Sequence, residues 1–297
     1  MTCDQRALSL VLAASTVLTL FILAPPTRSD DRQNRAERSE AQRLAARLSS
    51  LWPGWTPSVS PQNLEAETPA GVVQELVGPA TMSAEYRVAA RLAGLFALWA
   101  RSTLAPVPAF VDGEPPAPEP WATKALVSVV RDEARLLAEA LEAAKAARSR
   151  ELARALVKVR FRRIALLNDR EVATLRHREL REGLALYTAY HGLLLARHPG
   201  YAPGHEIEAA LPGFAYERAP ALRQALIERL RAASAAGRGH YDAAVSGFGL
   251  ALLLDRTQHG WREQLLETGA TLDALLAGPP SDFGNRQPSA AGRREPR

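Results

Sequence analysis

A glutamate set directly before a glycine, six histidines and one cysteine are the residues of this 297-residue chain that bear most on chemistry. In "RELREGLALYTAY", residues 178 to 190, Glu182 precedes Gly183 inside strongly helical sequence. Ala185, Leu186, Ala189 and Leu193 follow Glu182 at helical spacings and Leu175 stands seven before it, which places the carboxylate on the apolar stripe of a helix spanning 170 to 198. An ionised carboxylate there needs a cation, a hydrogen-bond donor or a metal. Gly183 adds about 1 kcal/mol against alanine within a helix, which points to close approach by a second backbone or a ligand. Glu182 is therefore either a structural ion pair, with Arg178 or an arginine of "RFRR" (160 to 163), or a metal ligand or catalytic carboxylate.

Peptidase-type zinc chemistry requires two neutral imidazoles one helical turn apart and a glutamate beside the first. HExxH is absent, and His177, His191, His198, His205, His240 and His259 include no pair spaced by four. "HEIEA" at 205 to 209 has Ala209 where the second imidazole would stand, so His205 reads as a surface residue of a Pro/Gly-bounded turn. His191 and His198 share a helix face, but His191 lies about 180° from Glu182. "QELVG" and "AEYRV" keep Glu75 and Glu85 in the motif's second position without either imidazole. Ser246 in "AVSGFG" is no nucleophile elbow, having Ala244 and Phe248 where glycines belong. "GFGLAL" lies in an apolar helix and is no dinucleotide loop. Arginines at 160, 162, 163, 170, 176, 178 and 181 interleave with Glu171, Glu179 and Glu182, the pattern of a solvated or ion-paired helix face rather than a nucleic-acid surface.

The elements that must position these residues are helices. Hydrophobic residues make up 47% of the chain and charged ones 23%, with a net charge of +5, which supports a sizeable core and excludes disorder of the whole. Ala7 to Ala24 form an uncharged 18-residue run, either an uncleaved membrane anchor or a removed signal peptide, and the Ala24-Pro25-Pro26 junction favours the anchor. The chain is thus expected outside the cytoplasm, anchored and facing the periplasm or cell exterior, or secreted. Cys3 precedes the run, so it is no acylation cysteine, and no intrachain disulfide can form.

Helices are expected over 31 to 52, 83 to 102, 122 to 149, 150 to 167, 170 to 198, 219 to 235, 240 to 256 and 261 to 276. "VKVRFR" alternates, but its flanks make it helical. Proline-rich 53 to 70 reads as a linker and 105 to 121 as a long loop, with a small hairpin in 56 to 82 left open. Trp52 and Trp55 would lie near the membrane surface if the anchor is retained. The expected organisation is an export segment over 1–30, a helical and Pro-rich region over 31–120, a helical domain over 121–277 and a disordered basic tail over 278–297. The fold class is mainly α, with little or no sheet.

"REGLALYTAY" also resembles the "NEGLAEYTG" helix of gluzincin-like zinc metallopeptidases and the "NEGFAxY" segment of the aminopeptidases. The resemblance extends through "DEARLLAEALEAAKAARSRELARALVKVRFRRIALL" and "GHYDAAVSGFGLALLLDRTQHGWREQLL", covering residues 125 to 276. It implies a zincin-like C-terminal helical domain, with Glu182 in the place of the third zinc ligand, Tyr187 as the motif tyrosine and Tyr241 in the place of an oxyanion-stabilising tyrosine. Since the imidazoles are missing, it implies vestigial catalytic positions, no bound cofactor and a protein or peptide partner held along the 170 to 198 helix. An active zinc hydrolase with atypical ligands and a purely structural helical envelope module are the alternatives. No nucleic-acid partner is expected, and the membrane is met through residues 7 to 24 if these are uncleaved.

Overall fold

The computed structural model describes residues 28–55, 82–104, 124–236 and 242–278, together with Val73 and Leu76. Residues 1–27 of the expected export segment, most of the proline-rich linker and of the stretch left open for a hairpin, the 105 to 121 loop, the tail after Gly278, Glu75 and Tyr241 lie outside the described residues.

Local chemistry sets the helix ends. Helix α1 (Arg28–Arg47) runs into a 3-10 turn over Leu48–Ser50. Ser83 accepts from the Tyr86 amide at 3.4 Å and starts α2 (Ala84–Thr103). Helix α3 (Lys124–Glu142) turns at 143 to 145 into α4 (Ala146–Ile164), which takes in the whole of "VKVRFR". A reciprocal Asn168 and Glu171 capping box opens α5 (Asp169–Arg178), a π-helical turn over Glu179–Gly183 follows, and α6 (Leu184–Ala196) continues from it. Next come α7 (His205–Ala210), α8 (Ala219–Ala236) and α9 (Ala243–Thr257), the last capped by Asp242. The single helix expected over 261 to 276 is two, α10 (Trp261–Thr268) and α11 (Leu272–Ala277). Gly269 adopts φ +63°, which ends α10, and Thr271 recaps the chain. The architecture is mainly α, with no strand among the described residues.

Helix α9 is the axis: every residue from Ala243 to Leu254 is buried. It packs against α3, α4, α6, the π turn and α11, while α2 covers the opposite side of α6 and α1 lies on α2. One hydrophobic core runs from Ala36 to Leu275, so α1 and α2 share it with the helices after residue 121. Trp52 and Trp55 are not at a surface: both are buried, and Trp52 meets the rings of Phe96, Trp99, Tyr187 and Trp261 at 5.0–6.1 Å. The Trp52 indole N–H donates to Thr188 Oγ1 at 2.9 Å, which supplies the partner that a buried indole requires. No helix among the described residues is long and apolar enough to cross a membrane.

Candidate functional site

Gly183 and Gly247 mark the closest helix crossing at the candidate site. A Cβ on Gly183 would stand 2.5 Å from the Gly247 Cα and 2.8 Å from the Phe248 amide nitrogen. A Cβ on Gly247 would meet the backbone of Glu179 in turn. The second backbone expected from the unusual glycine is therefore α9, which crosses the π turn.

The π turn also decides which glutamate is buried. A regular 3.6-residue period carried from Leu175 to Leu193 puts Glu182 on the core side, but the wider turn over 179–183 rotates the α5 side chains relative to those of α6. Glu182 keeps 31% of its side chain exposed, whereas Glu179, three residues earlier, is buried. The carboxylate that needs a partner in the core is Glu179.

That partner is Arg160, which is itself buried. Its Nη2 donates to both Glu179 oxygens at 2.8 and 2.9 Å, and its Nη1 donates to Glu133 Oε1 at 2.5 Å and to Ser246 Oγ at 3.0 Å. Its Nε donates to Asp273 Oδ1. Ser246 Oγ donates to Glu179 Oε1 at 2.7 Å. Arg163 reaches Glu133 at 3.3 Å and Arg176 reaches Asp273 at 3.5 Å, so three arginines face three carboxylates from α3, the π turn and α11. Burial pushes the Glu179 carboxyl above its ordinary range against the pull of Arg160. Burial also opposes the charge of Asp273, but Arg160 and Arg176 outweigh it and hold that carboxyl below the usual range.

Glu182 belongs to a more exposed pair. Arg178 contacts it through Nη2 at 3.0 Å and Nε at 3.1 Å, and the same guanidinium reaches Asp242 at 2.9 Å, which ties the π turn to the cap of α9. Of the two structural partners the sequence offered for Glu182, Arg178 is the one in contact, while "RFRR" supplies Arg160 and Arg163 to the deeper cluster.

Tyr187 is enclosed and hydroxyl-bonded. Its O–H donates to Asp255 at 2.8–2.9 Å and accepts from Arg262 Nη1 at 2.5 Å. Trp261 Nε1 donates to Asp255 at 2.9 Å, and His191 Nε2 approaches it at 3.3 Å. Burial and the Asp255 charge raise the Tyr187 phenol well above its ordinary value. Burial works against the charge of Asp255, but His191, Trp261 and Tyr187 outweigh it and keep the carboxyl low. Tyr187 is thus engaged with Asp255 and Arg262, away from Glu182.

The remaining candidates disperse. Glu85 accepts from the Glu217 and Arg218 amides at 3.2 and 2.7 Å, just ahead of α8, and burial raises its carboxyl. Its two oxygens are thus taken by backbone at the start of α8. His177 meets Arg181 at 3.4 Å, and His198 Nδ1 accepts from the Gly200 amide at 3.1 Å. His205 is exposed, as expected, but begins the short helix α7 instead of lying in a turn. Among the described residues no three His, Cys, Asp or Glu side chains converge to hold a metal ion. The residues around Glu182 do not fit zinc: its neighbour is a guanidinium, which carries a permanent positive charge and no lone pair to donate.

Sequence reasoning missed the Arg160 cluster, although a signal was present. Glu133 falls in the apolar series Val130, Ala134, Leu137 of α3, and Arg160 continues the series Leu152, Leu156 of α4. Opposite charges on the buried stripes of two consecutive helices announce a buried pair. No family model, curated protein or solved structure matches the chain.

Proposed function

We propose that the chain is an exported or membrane-tethered helical module that does no metal chemistry, built on a frame similar to the helical part of gluzincin-like peptidases, with arginine–carboxylate clusters where such enzymes hold zinc. The supporting observation is the partner of each carboxylate near the "REGLALY" helix: Arg160 for Glu179, Arg178 for Glu182 and Arg262 for Asp255. A guanidinium on a carboxylate neutralises it and excludes a cation from the same oxygens. In this reading Glu182 and Gly183 retain architectural roles, a tie to the cap of α9 and the helix crossing, and Tyr187 locks α6 to α9 and α10.

Metal analysis of the purified full chain tests the reading. The expected result is zinc well below one equivalent and an unchanged Tm after chelation. One equivalent of zinc that is lost in Glu182→Ala would overturn it in favour of a hydrolase with atypical ligands.

A further inference from the structure

Helix α4 divides cleanly into two sides. At 100° per residue, Leu152, Leu156, Val159 and Arg160 lie on the buried side, while Arg150, Arg154, Lys158, Phe161 and Arg162 share a facing arc of about 120°. All five of these are exposed. The four cations recur every fourth residue over a rise of about 18 Å. Among the described residues none of the four is held in an ion pair, and Glu151, the one acid inside the same arc, is taken by Arg148 at 2.7 Å.

Two large apolar side chains stand out beside these cations. Phe161 is 51% exposed and lies inside the cationic arc, and Leu166, 47% exposed, follows just after the helix end. They are two of the three large hydrophobic residues exposed among the described residues. A face meant only for water has no use for them, and a nucleic-acid backbone would engage the cations but leave Leu166 without a role. An anionic bilayer uses both, with guanidinium and ammonium groups at the headgroup phosphates and Phe and Leu at the acyl boundary.

We propose that the Arg150, Arg154, Lys158, Phe161, Arg162 face of α4, with Leu166, lies on an anionic phospholipid surface. This rests on the tethered form of the proposed function, in which residues 7 to 24 keep the helical body close to a bilayer. The phosphate-bearing partner is membrane lipid, and binding to nucleic acid is a competing outcome of the test.

Full-length protein is placed in nanodiscs of phosphatidylcholine alone or with about 30 mol% phosphatidylglycerol, and acetylation of Lys158 is followed by mass spectrometry. Lys158 is expected to be protected only in the anionic discs, with protection lost at high salt. If the chain instead stays soluble without detergent, the tether reading fails, and co-sedimentation with the same two lipid compositions reads the face directly. Each cation at the surface contributes about a five-fold change in affinity, so the Arg154→Glu, Lys158→Glu double variant should weaken sedimentation by roughly 25-fold or more. Equal Lys158 labelling in both discs, or vesicle binding unchanged by the double variant, overturns the proposal. So does binding to a short DNA duplex that is tighter than binding to anionic vesicles.

Discussion

Replacing Arg160 with methionine isolates the energetic role of the buried cluster. The side chain loses its bonds to Glu179, Glu133, Asp273 and Ser246 while its apolar stem is largely preserved. The three carboxylates are not affected equally. Glu133 keeps Arg163 at 3.3 Å and Asp273 keeps Arg176 at 3.5 Å, whereas Glu179 retains the Ser246 hydroxyl at 2.7 Å but no cation among the described residues. Removing one partner of a buried ion pair destabilises by about 3–5 kcal/mol. That is a large share of a total stability of about 5–15 kcal/mol and corresponds to a Tm fall on the order of 10 °C for a body of this size. Urea unfolding of the full chain, followed by the fluorescence of the buried tryptophans, gives the loss at neutral pH. Two further arms assign it to Glu179. Adding Glu179→Gln to Arg160→Met removes the stranded charge and should recover at least about 1 kcal/mol. The pH arm follows from linkage: without its counter-ion the folded carboxyl rises further above its unfolded value, so the folded state binds more protons between the two. The deficit relative to wild type therefore shrinks as pH falls through that window and is largest above it. A loss under about 1 kcal/mol, with no recovery from the second substitution, would refute the reasoning.

The helix crossing makes a prediction of opposite sign to helix propensity. Gly183→Ala gains about 1 kcal/mol at an open helical site, but here the new methyl meets backbone at 2.5 Å, so a net loss of about 1–3 kcal/mol is expected. A rise in Tm would show that the two helices are not in backbone contact. At the Tyr187 lock, Asp255→Asn should cost about 1–3 kcal/mol at neutral pH. Because the folded carboxyl is held low, the wild-type contribution is fully present above the unfolded pKa and is lost as pH falls through the folded one. Urea midpoints measured from neutral to acid pH should therefore converge for the two proteins, and parallel curves would count against it.

The sequence made the helical class and the Gly183 contact readable because both follow from local rules. Apolar spacing of three and four residues recurs in α2, α3 and α4, and a glycine within a helix points to close packing wherever it is found. The π turn was not readable in the same way. It inserts its offset between two helices of ordinary sequence, so an unbroken period carried through it puts Glu182 on the core side. The split at Gly269 was within reach, since a glycine followed two residues later by threonine is an end and a start in close succession. The burial of Trp52 was not, because it depends on Thr188, distant in sequence, supplying the acceptor.

The two glutamates of "RELREG" lie three residues apart and have opposite surroundings. Glu179 enters the core only because Arg160, Ser246 and the π turn meet there, while Glu182 stays near the solvent with Arg178 and ties the turn to the α9 cap. Glu179 buried with no cation would carry a penalty of several kcal/mol. The network provides that charge balance with arginines from α4 and α5. The balance is mutual: Arg160 without its carboxylates would be as unfavourable in the core as they would be without it. Replacing Arg160 and Glu179 together by apolar residues of matching volume leaves Arg163 with Glu133 and Arg176 with Asp273, and should therefore be tolerated far better than replacing Arg160 alone, since what stabilises the fold is the neutrality of the cluster and not any one of its charges.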